Sequence, residues 1–96
     1  MRNLADLIRQ PVSANPVITG VTCDSRKVGP GMLFAALPGA KADGRAFIAS
    51  AVAQGAAAII APVGTVADTG AALLVTDAEP RRAYALAAAA FFARQP

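Results

Sequence analysis

The spacing of apolar and polar residues divides the chain into short segments whose period changes along the sequence. Leu4, Leu7 and Ile8 fall on one side of a helix over Asn3 to Ile8. That helix stops ahead of Pro11, because the residue before a proline avoids helical geometry. Ser13 to Pro16 reads as a loop. Val17, Thr19, Val21 and Cys23 then alternate with Ile18, Gly20 and Thr22, a β-branched period of two that predicts a strand. Gly20 inside this run marks a bulge or a close backbone approach. The strand ends in Asp24-Ser25-Arg26-Lys27, and Gly29-Pro30-Gly31 supplies the proline and glycine suited to the centre of a type II turn.

Met32 to Leu37 is continuously apolar, as expected of a strand covered on both faces. Pro38 to Arg45 is a loop, and Asp43 is placed to cap the helix that follows by accepting a backbone N–H. Phe47, Ile48, Ala51 and Val52 share one face of that helix, with Gly55 at its stop position. Ala57 to Ala61 and Ala72 to Thr76 predict two further strands, separated by a loop from Pro62 to Gly70. Pro80 opens a last helix running to about Ala93. The alternation of strands and helices predicts one small α/β domain, a mixed sheet of about four to five strands with helices packed on it.

Composition narrows the function. The hydrophobic share is 55%, much of it alanine, which blurs helix faces because alanine suits buried and exposed positions alike. Nine Lys and Arg against six Asp and Glu give a net charge of +3. They are dispersed, with no run of five like charges, which argues against an unstructured nucleic-acid arm. A modest positive field suits an anionic small ligand as well as plain solubility. The lone Cys23 excludes an internal disulfide and fits a reducing compartment. The chain has no histidine, hence no usual general base for a Ser or Cys nucleophile and none of the commonest zinc ligand. The N-terminus is too short and too charged for a signal peptide. The longest apolar stretch, Ala83 to Ala93, falls short of the ~20 residues a membrane span needs. A soluble, cytoplasmic protein is expected.

Two segments could carry chemistry. Asp24 to Lys27 stands at a strand end, where ligands collect in α/β sheets, and its hydroxyl and guanidinium suit a diphosphate. The alternative there is a hydrogen-bonded turn in which Asp24 bonds its own backbone. Pro38 to Arg45 offers glycines for close backbone approach but is no Walker loop, since Gly-Lys-Ser/Thr occurs nowhere in the chain. Taken alone, this loop is read as an ordinary connection in preference to a site. Ser25 has no basic partner or oxyanion hole in view, so a nucleophilic role is not supported. The alternating position of Cys23 predicts a small buried hydrophobe. Phe91-Phe92 reads as core or contact surface, and Arg81-Arg82 as a solvated first helical turn.

Taken in order, the segments resemble a known family. DSRxVxPGxLFxALxG, from Asp24 to Gly39, is followed by ADGxxFI, from Ala42 to Ile48, with the Val17-to-Cys23 strand before and Gly55 to Ile60 after. This succession resembles the N-terminal domain of the Mur ligases, and within them is most similar to the MurE type, the UDP-N-acetylmuramoyl-tripeptide synthetases. The related MurF type shares the DSR and LFxAL pattern and stays open as an alternative. So does a small basic nucleic-acid or protein-interaction module. The resemblance implies a three-domain, ATP- and Mg2+-dependent ligase of peptidoglycan synthesis. Its first domain holds the uridine-diphosphate end of UDP-MurNAc-L-Ala-D-Glu. A central domain binds ATP, and an acyl phosphate on the D-Glu carboxylate is attacked by the amine of diaminopimelate or lysine.

By this resemblance residues 1–96 form the substrate-binding domain, ending before the ATP-binding domain that would pack against it. No catalytic residue, metal ligand or cofactor site of the family falls in the chain, which alone should not turn over. The resemblance places Ser25 near the diphosphate, with Cys23, Asp24 and Arg26 at the strand end. It places Ala40, Lys41 and Ala42 around uracil and ribose. Some relatives carry His-Gln where this chain has Ala40-Lys41, so backbone contacts carry over there more directly than side-chain contacts. No nucleic acid and no membrane partner is implied.

Overall fold

The computed structural model describes residues 2–8, 14–38 and 43–92. Strands β1 (Arg2–Asn3), β2 (Val17–Ile18), β3 (Val21–Thr22), β4 (Leu33–Ala35), β5 (Ala58–Pro62) and β6 (Leu73–Asp77) alternate with helices α1 (Leu4–Leu7), α2 (Ile48–Ala53) and α3 (Pro80–Phe92). Single 3-10 turns occupy Ser25–Lys27 and Gly44–Phe47. The main sheet has the order β3-β4-β5-β6 and is parallel throughout. Among the described strands, β1 and β2 pair antiparallel in a separate ribbon. The α/β class read from the sequence therefore holds, with its parallel and antiparallel pairings divided between two sheets.

The apolar runs become strands covered on both faces. Leu33 and Ala35 of β4, with Ala58 and Ile60 of β5, face a cluster that holds Leu4, Leu7, Ile18, Val75 and Ala87. Phe34 and Ala36, with Ile59 and Ala61, point the other way, to Val28, Ile48, Ala51 and Ala72. Helices α1 and α3 thus cover one face and α2 the other. Asp77 Oδ1 accepts the Glu79 N–H at 2.8 Å just ahead of α3, and Pro80 begins the helix where a missing N–H costs nothing. Asn15 caps α1 from outside it, its Oδ1 accepting the Ala5 N–H at 2.8 Å.

Gly29 to Met32 closes the expected type II turn. The Met32 N–H reaches the Gly29 carbonyl at 3.2 Å, and Gly31 takes the positive φ of 81° that this turn requires.

Two expectations are corrected. The Val17-to-Cys23 alternation is not one strand, because the chain changes partners at Thr19 and Gly20. The Thr19 N–H goes to the Gly31 carbonyl (3.0 Å), and the Gly20 carbonyl accepts from Leu33 N (2.9 Å). What comes close to Gly20 is the Met32 side chain, since a Cβ there would sit 3.1 Å from Met32 Cε, and not another stretch of backbone. Cys23, expected to be buried, is exposed: β3 ends at Thr22 and the chain bends before the alternation can bring the thiol back inside.

Candidate functional site

Because the four strands of the main sheet are parallel, their carboxyl ends share one edge. β3 and β4 are neighbours, with Thr22 opposite Phe34, so the segments that leave them start side by side. One is the Asp24–Lys27 turn. The other leaves β4 through Leu37 and returns at Asp43, where Pro38 and Asp43 form an antiparallel bridge. The Gly44 N–H donates to the Leu37 carbonyl at 2.8 Å, and Arg81 of α3 donates to the Pro38 carbonyl. Ala40, Lys41 and Ala42 lie between these anchors, outside the described residues.

The first turn is built from its own side chains. Thr22 Oγ1 accepts the Asp24 N–H at 3.1 Å, and Asp24 Oδ1 accepts the Arg26 N–H at 2.9 Å. The Arg26 guanidinium then folds back, Nε donating to Oδ1 (3.1 Å) and Nη2 to Oδ2 (3.0 Å) of Asp24. The second turn repeats the device. Asp43 Oδ1 accepts the Arg45 N–H at 2.9 Å, and Arg45 Nε donates to Asp43 Oδ2 at 2.8 Å. In both Asp-x-Arg turns the cap and the ion pair fix the backbone while spending the charge of the arginine on its own aspartate.

An open cleft lies beside the first turn, lined by Cys23, Asp24, Ser25 and Arg26 and by Phe47, which closes the second 3-10 turn. The structure therefore groups the strand-end residues singled out in the sequence, and a self-bonded Asp24 turn coexists with the cleft. Among the described residues the Ser25 hydroxyl makes no hydrogen bond, which leaves a donor and an acceptor on a residue that lines the cleft. The sequence pattern puts Phe47 on one helix face with Ile48, Ala51 and Val52. Phe47 is instead 41% exposed, because residues 44–47 form a 3-10 turn and the inward face of α2 begins at Ile48. Tyr84 of α3 lies against Cys23, and burial, reinforced by that thiol, holds its phenol above the usual range. Neither carries a local signal for this position, since the 3-10 turn sets Phe47 and α3 sets Tyr84. Among the described residues no group of acidic or sulfur ligands gathers to hold a metal. No helix among them is long and apolar enough to cross a membrane.

Hydrogen bonds from the Arg26 side chain, then from its backbone N–H, hold the Asp24 carboxyl below its ordinary value of 3.8. A depressed carboxylate pKa favours the folded turn at pH above the ordinary value. That contribution is lost as pH falls through the folded value. The turn should thus stay ordered through neutral pH and loosen only in acid. Carboxyl-carbon NMR titration should place the Asp24 midpoint below 3.8, and Arg26→Ala should bring it back towards 3.8. A midpoint that ignores the substitution would contradict the bidentate pairing.

Comparison with known proteins gives the family. Residues 17–94 match the Mur ligase family, catalytic domain. The UDP-N-acetylmuramoyl-L-alanyl-D-glutamate–2,6-diaminopimelate ligase of Caulobacter vibrioides is 57% identical over 95 residues, covering 99% of this chain and 19% of that protein. The ligase of the same name from Bradyrhizobium diazoefficiens is 50% identical over 99 residues, covering 97% and 20%. Among solved structures, MurF from Acinetobacter baumannii matches with a TM-score of 0.60 and 30% identity over 77% of this chain and 15% of that one. The chain spans about a fifth of the length of the curated relatives it matches. A match over residues 17–94, with this parallel sheet and these turns at its carboxyl edge, means that the chain belongs to the Mur ligase family.

Proposed function

We propose that residues 1–96 act as the nucleotide-substrate-binding domain of a cytoplasmic, ATP-dependent ligase that joins 2,6-diaminopimelate to UDP-N-acetylmuramoyl-L-alanyl-D-glutamate in cell-wall peptidoglycan synthesis. The observation that carries this reading is 57% identity across 95 residues to the diaminopimelate-adding ligase of Caulobacter vibrioides. Two solved structures it resembles are of the MurF type, at 30% and 33% identity, and the relatives of higher identity favour the diaminopimelate-adding type.

In this reading the cleft grips the diphosphate through the Ser25 hydroxyl, with Cys23, Asp24 and Arg26 shaping its wall. The Ala40-Lys41-Ala42 segment takes uracil and ribose. Acceptance of the proton of Ser25 by a phosphate oxygen would give a hydrogen bond to a charged group, stronger than a neutral one. Recognition rests on placed donors more than on a basic field, because Arg26 and Arg45 are already paired with Asp24 and Asp43. A nucleic acid, which demands many free cations, is not the proposed ligand. The chain contributes binding and orientation. Bond-making belongs to the ATP-binding domain against which it would pack.

Holding a remote part of the substrate equally in ground and transition states lowers KM and leaves kcat alone. In the full-length ligase, Ser25→Ala should raise KM for the UDP-substrate by about 10- to 100-fold with kcat little changed, the worth of a hydrogen bond to a charged group. Lys41→Glu should raise it too, by setting a negative charge beside the nucleotide. Steady-state kinetics with the UDP-substrate varied makes the test. Indifference of KM to both substitutions would remove the proposed pocket.

A further inference from the structure

We infer that Gln54, at the end of α2, is a positioning residue that aims the Ser25 hydroxyl at the bound nucleotide. This rests on the substrate-binding reading above. Gln54 lies 29 residues from Ser25 along the chain, yet its Nε2 donates to the Ser25 carbonyl at 2.8 Å. An amide nitrogen carries two hydrogens. One goes to Ser25, and the other is shared between the Ser50 carbonyl (3.2 Å) and Ser50 Oγ (3.1 Å) one turn back in the helix. The Nε2 group is therefore held from two sides, by the turn and by its own helix. Its backbone N–H is bonded to the Ser50 and Ala51 carbonyls, and Ala51 is fully buried against the sheet.

The bond acts on the peptide that joins Ser25 to Arg26. Gln54 takes its carbonyl, while Asp24 Oδ1 takes its N–H at 2.9 Å. A peptide unit is planar, so fixing both of its polar groups fixes the plane and with it the backbone of Ser25. Among the described residues the Ser25 hydroxyl has no partner of its own, so nothing but that backbone and its rotamer directs it into the cleft. Without Gln54 the N–H would remain anchored but the carbonyl could swing towards water. Binding would then have to order the turn, a cost that appears as weaker affinity. Asp24 and Arg26 are visible in the DSR sequence. Gln54 is not, because the fold alone brings it there.

The test uses the full-length ligase and three variants. Gln54→Met keeps the length of the side chain and removes the donor, whereas Gln54→Lys keeps a donor of similar reach. Gln54→Met should raise KM for the UDP-substrate about 3- to 10-fold, the worth of one neutral hydrogen bond, with kcat and the KM for ATP unchanged. Gln54→Lys should stay within about twofold of wild type on the same reasoning. A lowered melting temperature with an unmoved KM would reduce Gln54 to a structural prop and overturn the inference. If Ser25→Ala raises KM and Gln54→Met does not, the inference fails while the substrate-binding reading survives. If Ser25→Ala also leaves KM unmoved, both fall together.

Discussion

Replacing Phe34 with alanine should lower the unfolding free energy of the domain by about 3–5 kcal/mol, the usual cost of deleting a buried phenyl ring and leaving a cavity. Phe34 is 1% exposed and sits on β4, which has a strand on either side. It anchors the cluster in which Ile48 and Ala51 of α2 meet Ile59 of β5. The neighbours are largely alanines, and short side chains cannot swing in to refill the space. A small domain commonly has ~5–15 kcal/mol in total, so this one change would consume a large fraction of it. Urea denaturation of wild type and variant measures the difference. A midpoint unchanged within error would mean that the Phe34 side of the sheet is not the packed layer described above.

Gly44→Ala should be nearly as damaging, for a reason of space rather than of lost contact. A Cβ at residue 44 would stand 2.5 Å from Leu37 N, 2.6 Å from Leu37 O and 2.8 Å from the Ala36 carbonyl carbon. All are backbone atoms at the end of β4, so no side chain can yield. The clash must separate the strand from the returning turn and break the 2.8 Å bond from Gly44 N to Leu37 O. Overpacking of this kind costs about 1–3 kcal/mol, and backbone on both sides puts the change at the upper end. Pro38 and Asp43 form the base of the Ala40-Lys41-Ala42 segment, so KM for the UDP-substrate should rise as well. Thermal melts and kinetics on the same variant check both effects. Retention of wild-type stability would show that the close approach of residue 44 to β4 does not exist.

Much of this architecture is legible in the chain because it is specified locally. The apolar runs through Phe34 and Ile59 are continuous, as strands buried on both faces must be. Pro80 marks the start of α3, and Gly31 stands at the one position of its turn that needs a positive φ. What escapes is whatever depends on partners distant in sequence. The period of two runs unbroken from Val17 to Cys23, yet β2 pairs with β1 and β3 with β4. Nothing in Arg2 and Asn3 announces a strand. The same limit explains Cys23, where periodicity predicts a face but not the point at which pairing stops. At the site, the Asp24-to-Arg26 turn is readable from its own side chains. Phe47, Gln54 and Arg81 arrive through packing of α2 and α3, and no spacing rule reaches them.

The two core clusters differ in how much of the chain each needs. The layer around Phe34 draws on residues from Val28 to Ala72, so it needs nothing from the last helix. The opposite layer joins Leu4 and Leu7 to Ala87, almost the full span of the sequence. During synthesis, then, the apolar residues of α1 stay open to water until α3 has been made and can cover them. During that interval the apolar face of the early segment is open to chaperones, while the half carrying the Ser25 turn can already close.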